Sequence, residues 1–169
     1  HSILQAQKSS YFRTMRVVVS TDSEQYAKVA KGYGAECPFL RPKSISGDLS
    51  TDLDCMQHCL KWLQNNAGYF PDIVLHLRPT QPLRNVESMD ACIETFLRVR
   101  NDYDSLRTVV PSNVSPFKMY TMSETEGFIN KTVLQPLFKQ IGETFEPFNQ
   151  ARQSLPTAYL HNGYVDIIN

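Results

Sequence analysis

Ile73-Val74-Leu75-His76-Leu77-Arg78-Pro79-Thr80-Gln81-Pro82-Leu83-Arg84 is the stretch on which the reading of the whole chain turns. Four of its first five residues are apolar, and Pro71 and Pro79 bound them, so the pattern predicts a short buried strand over 73–77. Proline has no N–H for a ladder and a fixed φ, so Pro79 and Pro82 end the strand and stiffen the turn after it. Arg78 and Arg84 flank that turn, with Thr80 and Gln81 between them. Ligands of open α/β sheets sit beyond the carboxyl ends of the strands. A guanidinium fork matches the oxygens of phosphate and carboxylate. The turn therefore reads equally as an anion-binding edge and as a structural turn with surface arginines.

Working outward, the pattern alternates. A helix tail over 1–10 leads to a core strand at Val17-Val18-Val19, which ends in Ser20-Thr21-Asp22. A helix over 23–30 follows, with Ser23 or Asp22 as its N-cap and Gly32 and Gly34 as its stop. A short edge strand over 35–40 and a polar loop over 43–52 precede a helix expected to bury Leu53, Met56, Leu60 and Leu63. After the strand at 73–77 comes a helix over 86–99 with Met89, Ile93, Phe96 and Leu97 inward, then a strand over 105–110. This order predicts an α/β fold: three layers, a mostly parallel sheet and right-handed crossovers.

Near Pro111 the rhythm breaks. Residues 114–120 and 127–133 read as strands of a meander joined by a turn at Glu124-Thr125-Glu126-Gly127. Residues 135–159 are irregular, with Pro136, Pro147 and Pro156 spread through them. Phe138, Phe145, Phe148 and Tyr159 are too apolar for a solvated loop and are expected to pack on something, a second subunit being one choice. The chain returns to a strand at 162–167, and the whole is read as one domain over 1–169.

Composition narrows the function classes. Lys+Arg and Asp+Glu are both 17, a net charge of +0, which lacks the basic excess of a nucleic-acid or membrane-surface binder. No apolar run approaches the ~20 residues of a membrane-spanning helix. The cysteines are Cys37, Cys55, Cys59 and Cys92. Cys55, His58 and Cys59 fall inside a helical pattern without a second ligand pair, so they read as buried thiols of a reducing, cytoplasmic compartment and not as a metal site. The chain opens mid-pattern at His1-Ser2-Ile3-Leu4 and closes at Ile167-Ile168-Asn169 as a strand forms, so both ends read as cut and the domain as incomplete at each.

Four segments carry a resemblance. They are Val18-Val19-Ser20-Thr21-Asp22; Phe39-Leu40-Arg41-Pro42 with Gly47-Asp48; Leu77 to Arg84; and Gln150-Ala151-Arg152-Gln153-Ser154-Leu155-Pro156 with Asn162-Gly163. In order and spacing the chain resembles the acylneuraminate cytidylyltransferases, the CMP-sialic acid synthetase group. The resemblance implies a Rossmann-like fold of the nucleotide-diphospho-sugar transferase kind, with a small β-rich dimerisation insert at about 112–158. It implies an enzyme that joins CTP to an acidic nine-carbon sugar, releases pyrophosphate, uses magnesium and works as a homodimer. Related transferases using GTP or an eight-carbon acid share most of the pattern. A non-catalytic dimeric sugar-nucleotide-binding module is the other alternative.

Carried over, the resemblance assigns Arg41, Ser50 and Asp52 to the nucleotide. Arg78, Lys118, Gln153 and Asn162 go to the sugar. Arg152 would be the catalytic cation that neutralises the acidic sugar or the phosphates. Arg78 stands where many relatives carry glutamine, and Gln81 where serine is common. Asp22 is read as a helix cap. The family's triphosphate loop and its metal-binding aspartates are both expected outside this chain, so magnesium would have no ligand within it and these residues alone would not turn over substrate. Arg41, Arg78 and Arg152 are expected to converge on one lip of the sheet.

Overall fold

A computed structural model describes residues 1–124 and 132–169. They form two compact units, His1–Thr108 with Gly163–Asn169, and Val109–Asn162.

The first unit opens with helix α1 (Ser2–Lys8). Helix α2 (Glu24–Gly32) is capped by Ser23, whose hydroxyl accepts from Tyr26 N. The cap is therefore Ser23, and Asp22 is left for another partner. Gly34 follows with φ +85°, a left-handed turn conformation that glycine adopts without a Cβ penalty. Helix α3 (Asp52–Ala67) starts in a capping box, Thr51 accepting from Asp54 N while Asp54 accepts from Thr51 N. It stops at Gly68, which takes the left-handed conformation. Strand β1 (Val74–His76) and helix α4 (Val86–Val99, capped by Asn85) complete the run to β2 (Ser105–Pro111).

The core gathers on α4. Its Met89, Ile93 and Phe96 are buried against Val165 and Ile167 of the last strand, β7 (Tyr159–Ile168), with Ile73, Leu75, Leu77 and Leu106 packed around them. A second cluster joins Ala27, Ala30, Ala35 and Cys37 to Ile3, Val17 and Val19. Two residues expected inside are not: Leu53 is 57% exposed and Leu97 39%. Leu53 sits in the first turn of α3 and Leu97 near the end of α4, where a helix outruns the surface it packs on.

The sheet departs from the expectation of a mostly parallel one. Its order is β1-β7-β2, and β1 pairs with β7 antiparallel, His76 opposite Asp166. Among the described residues the parallel contact is confined to one bridge, Val18 with Glu36, so Val17–Val19 and 35–40 are extended segments and not full strands. Between β2 and β7 the chain runs through the second unit. The structure is thus a mixed α/β one with small antiparallel sheets.

The second unit holds two short antiparallel pairs: β3 (Tyr120–Glu124) with β4 (Thr132–Pro136), and β5 (Gln140–Ile141) with β6 (Thr144–Phe145). The expected strand over 114–120 begins only at Tyr120, because Pro116–Lys118 is a turn of 3-10 helix. Ser112, whose Oγ donates to Val114 O, bends the chain just before it. The expected turn at 124–127 and the start of the strand at 127–133 lie outside the described residues. Among the described residues no helix is long and apolar enough to cross a membrane.

Candidate functional site

Local sequence explains how the turn after β1 is built. Pro79 and Pro82 stiffen it, and Gln81 N donates to Arg78 O at 3.2 Å. Arg84 then turns inward. It is only 5% exposed, and its guanidinium donates to Tyr164 O (2.5 Å), Ser2 Oγ (2.7 Å) and Arg78 O (2.6 Å). All three acceptors are neutral, and burial lowers the Arg84 pKa from its ordinary value, with Tyr164 opposing. Of the two arginines that flank the turn, Arg84 is thus a clamp between α1, the turn and β7. It is no part of an anion-binding edge.

Arg78 remains half-exposed. Its Nη1 lies 2.6 Å from Asp52 Oδ2 and its Nη2 3.2 Å from Asp166 Oδ2. Its Nε is buried without a hydrogen-bond partner among the described residues. Gly163, at φ +62°, makes room for it: a Cβ on Gly163 would sit 3.2 Å from Arg78 Cδ. The antiparallel register that sets Asp166 beside His76 is what brings Asp166 to Arg78, two residues further along.

Arg41 meets the same helix. Its Nη1 contacts Cys55 Sγ at 2.9 Å, its Nε donates to Ser46 Oγ at 3.1 Å, and its Nη2 is 3.8 Å from Asp22 Oδ1. Asp52 and Cys55 are three apart, hence on one face of α3. The first turn of α3 therefore receives Arg78 on Asp52 and Arg41 on Cys55. Ser50 lies just before it, its hydroxyl accepting from Gly47 N at 3.0 Å and closing the polar loop. Of the residues singled out by sequence, Arg41, Ser50, Asp52 and Arg78 are thus gathered around one helix N-terminus.

The other four belong to the second unit. Arg152 Nη2 donates to Asn113 O at 2.5 Å, and Lys118 Nζ to Phe148 O at 3.2 Å. Gln153 is exposed within a 3-10 turn, Arg152–Ser154, and Asn162 lies inside β7.

Sequence reading missed Asp166 and Gly163 as supports of Arg78. One signal was available: an arginine at the end of a buried strand needs a counterion, and Asp166 is the acidic residue of the last strand. His76 beside them is held below its ordinary pKa, chiefly by burial; Asp52 and Asp166 raise it, and Arg78 and Arg84 lower it.

Magnesium, which the resemblance implied, finds no fit here. Among the described residues no group of three or more His, Cys, Asp or Glu could hold a metal ion. Asp52 and Asp166, which do converge, converge on the Arg78 cation.

The chain is 33% identical over 120 residues to Post-translational flagellin modification protein B of Campylobacter coli, covering 69% of this chain and 48% of that protein. It is 38% identical over 94 residues to CMP-N,N'-diacetyllegionaminic acid synthase of Legionella pneumophila, covering 56% and 39%. It is 32% identical over 103 residues to Pseudaminic acid cytidylyltransferase of Campylobacter jejuni, covering 61% and 43%. The chain thus spans less than half the length of these relatives. A family profile described as Cytidylyltransferase matches residues 1–127, three quarters of the sequence, and the chain belongs to that cytidylyltransferase family.

Proposed function

We propose that this chain is the nucleotide- and sugar-facing part of an enzyme that activates an acidic nine-carbon sugar with CTP, giving the CMP-sugar and pyrophosphate. The observation that carries the reading is Arg78, fixed at the end of β1 with a guanidinium edge toward the first turn of α3. A planar fork suits the carboxylate of such a sugar. Relatives named for legionaminic and pseudaminic acids point to the same substrate class.

In this reading the anomeric hydroxyl oxygen of the sugar attacks the α-phosphorus of CTP. The bond from that phosphorus to the bridging oxygen breaks, pyrophosphate leaves, and the hydroxyl proton passes to solvent. Catalysis is then positioning and charge neutralisation. Arg41, Ser50 and Asp52 serve the nucleotide; Arg78, Lys118, Gln153 and Asn162 serve the sugar; Arg152 neutralises developing charge. Any magnesium is held by residues other than the described ones.

The finer architecture belongs to the same proposal: a single nucleotidyltransferase domain with a three-layer sheet, and an insert at about 112–158 that docks into a homodimer partner. Exposed Phe145 (66%) and Tyr159 (61%) on the second unit support the docking. The location is cytoplasmic, in keeping with four free thiols.

Calorimetric titration with CTP and with GTP tests the nucleotide. CTP is expected to bind at least about tenfold tighter, roughly one good bidentate base contact. Equal or tighter binding of GTP overturns the reading.

A further inference from the structure

Arg78 holds two carboxylates that differ in kind. Asp166 has a side chain 6% exposed, on a core strand whose neighbours Val165 and Ile167 are fully buried. Asp52 has a side chain 47% exposed, in the first helical turn after a polar loop. Both reach the end of the same guanidinium, Asp166 on Nη2 and Asp52 on Nη1. Arg78 itself keeps 31% of its side chain in solvent. A buried ion cannot leave its partner without stranding a charge, whereas an exposed pair is worth little and exchanges with water.

We propose that Asp52 is a placeholder for the acidic substrate: it occupies on Arg78 Nη1 the seat that the substrate's carboxylate takes, while Asp166 is the permanent counterion. This rests on the reading above that Arg78 receives the acidic sugar. Asp166 cancels about one charge of the guanidinium, and Asp52 offsets the site further when it is empty. A neutral ligand leaves Asp52 on the fork, because it offers no charge in exchange. An acidic one takes the seat at the cost of one half-exposed ion pair, so Asp52 competes with the acidic ligand alone. Swung away from Arg78, it loses little, since it stays at the positive end of α3. No covalent step is involved; one carboxylate replaces another on the same fork.

The test is charge-selective binding. N-acetylneuraminate and its methyl ester, which lacks the charge, are titrated into the 169-residue chain, into Asp52→Asn and into Arg78→Gln. Wild type is expected to prefer the acid. Asp52→Asn is expected to bind the acid about fivefold tighter, the worth of an exposed ion pair, with the ester unchanged. Arg78→Gln is expected to lose the preference. Asp52→Ser, which keeps a good residue in the first helical turn, serves as a second version should the asparagine variant fold poorly. If both Asp52 variants bind acid and ester in the wild-type ratio, or favour the acid less, the placeholder is wrong while Arg78 as anchor stands. If wild type shows no preference, or Arg78→Gln keeps it in full, the anchor and the placeholder fall together.

Discussion

Arg84 donates from Nη2 to the main-chain carbonyl of Arg78 at 2.6 Å, so the buried arginine of the turn sets the backbone from which the half-exposed one reaches out. That carbonyl also accepts from Gln81 N, and is therefore tied twice. The two guanidiniums have divided the work: one builds the turn, the other faces Asp52 and solvent.

Replacing Arg84 by lysine keeps the charge but breaks the fork. Three neutral acceptors, Tyr164 O, Ser2 Oγ and Arg78 O, share one planar donor set, and an ammonium cannot span them. Arg84→Lys is expected to cost about 2–4 kcal/mol, the sum of two lost bonds and their stranded partners. Urea unfolding measures it, and a cost below about 1 kcal/mol would show that the clamp is dispensable.

The two carboxylates of Arg78 separate by stability. Asp166→Asn is expected to destabilise by about 2–3 kcal/mol, less than a fully buried pair because Arg78 keeps a wet edge. Asp52→Asn is expected to cost under about 1 kcal/mol. Equal losses in the two urea midpoints contradict the distinction between a permanent and an exchangeable counterion.

Gly163 is a backbone prediction. At φ +62° an added Cβ is strained, and it would also press on Arg78 Cδ at 3.2 Å. Gly163→Ala is expected to lose about 1–2 kcal/mol and to weaken binding of the acidic sugar. Thermal unfolding and the acid titration read the two effects, and wild-type behaviour in both would remove Gly163 from the site.

His76 gives the fold a pH dependence of definite sign. Its ordinary value is 6.5, and in the folded chain it is lower, mainly through burial. Between the folded value and 6.5 the unfolded chain binds more protons, so stability rises with pH there and is complete above 6.5. Acidification below 6.5 therefore removes stability, and His76→Asn is expected to flatten that part of the profile. A urea midpoint that falls equally in wild type and variant assigns the dependence to other groups.

Helices α2, α3 and α4 were legible because each starts at a capping residue. Ser23, Thr51 and Asn85 cap α2, α3 and α4, and Met89, Ile93 and Phe96 recur at helical spacing. The sheet was less so. A run such as Val17-Val18-Val19 states that a segment is extended and apolar, but not which neighbour it pairs with or in which direction. The antiparallel pairing of β1 with β7 joins residues some ninety apart, and no local pattern encodes it. The site shows the same division. Proline spacing reveals the turn, and the arginines reveal its charge. That Arg84 points inward depends on tertiary packing alone, and the pairing of Asp166 with Arg78 left only a hint, an acidic residue on the last strand.

A crystal structure of the chain with CTP and N-acetylneuraminate bound together tests most directly whether Arg78 is the seat of an acidic sugar. The expected result is the sugar carboxylate within hydrogen-bond distance of Arg78 Nη1, with Asp52 turned away and Asp166 still on Nη2. A bound sugar whose carboxylate lies elsewhere, with Asp52 still paired to Arg78, would contradict it.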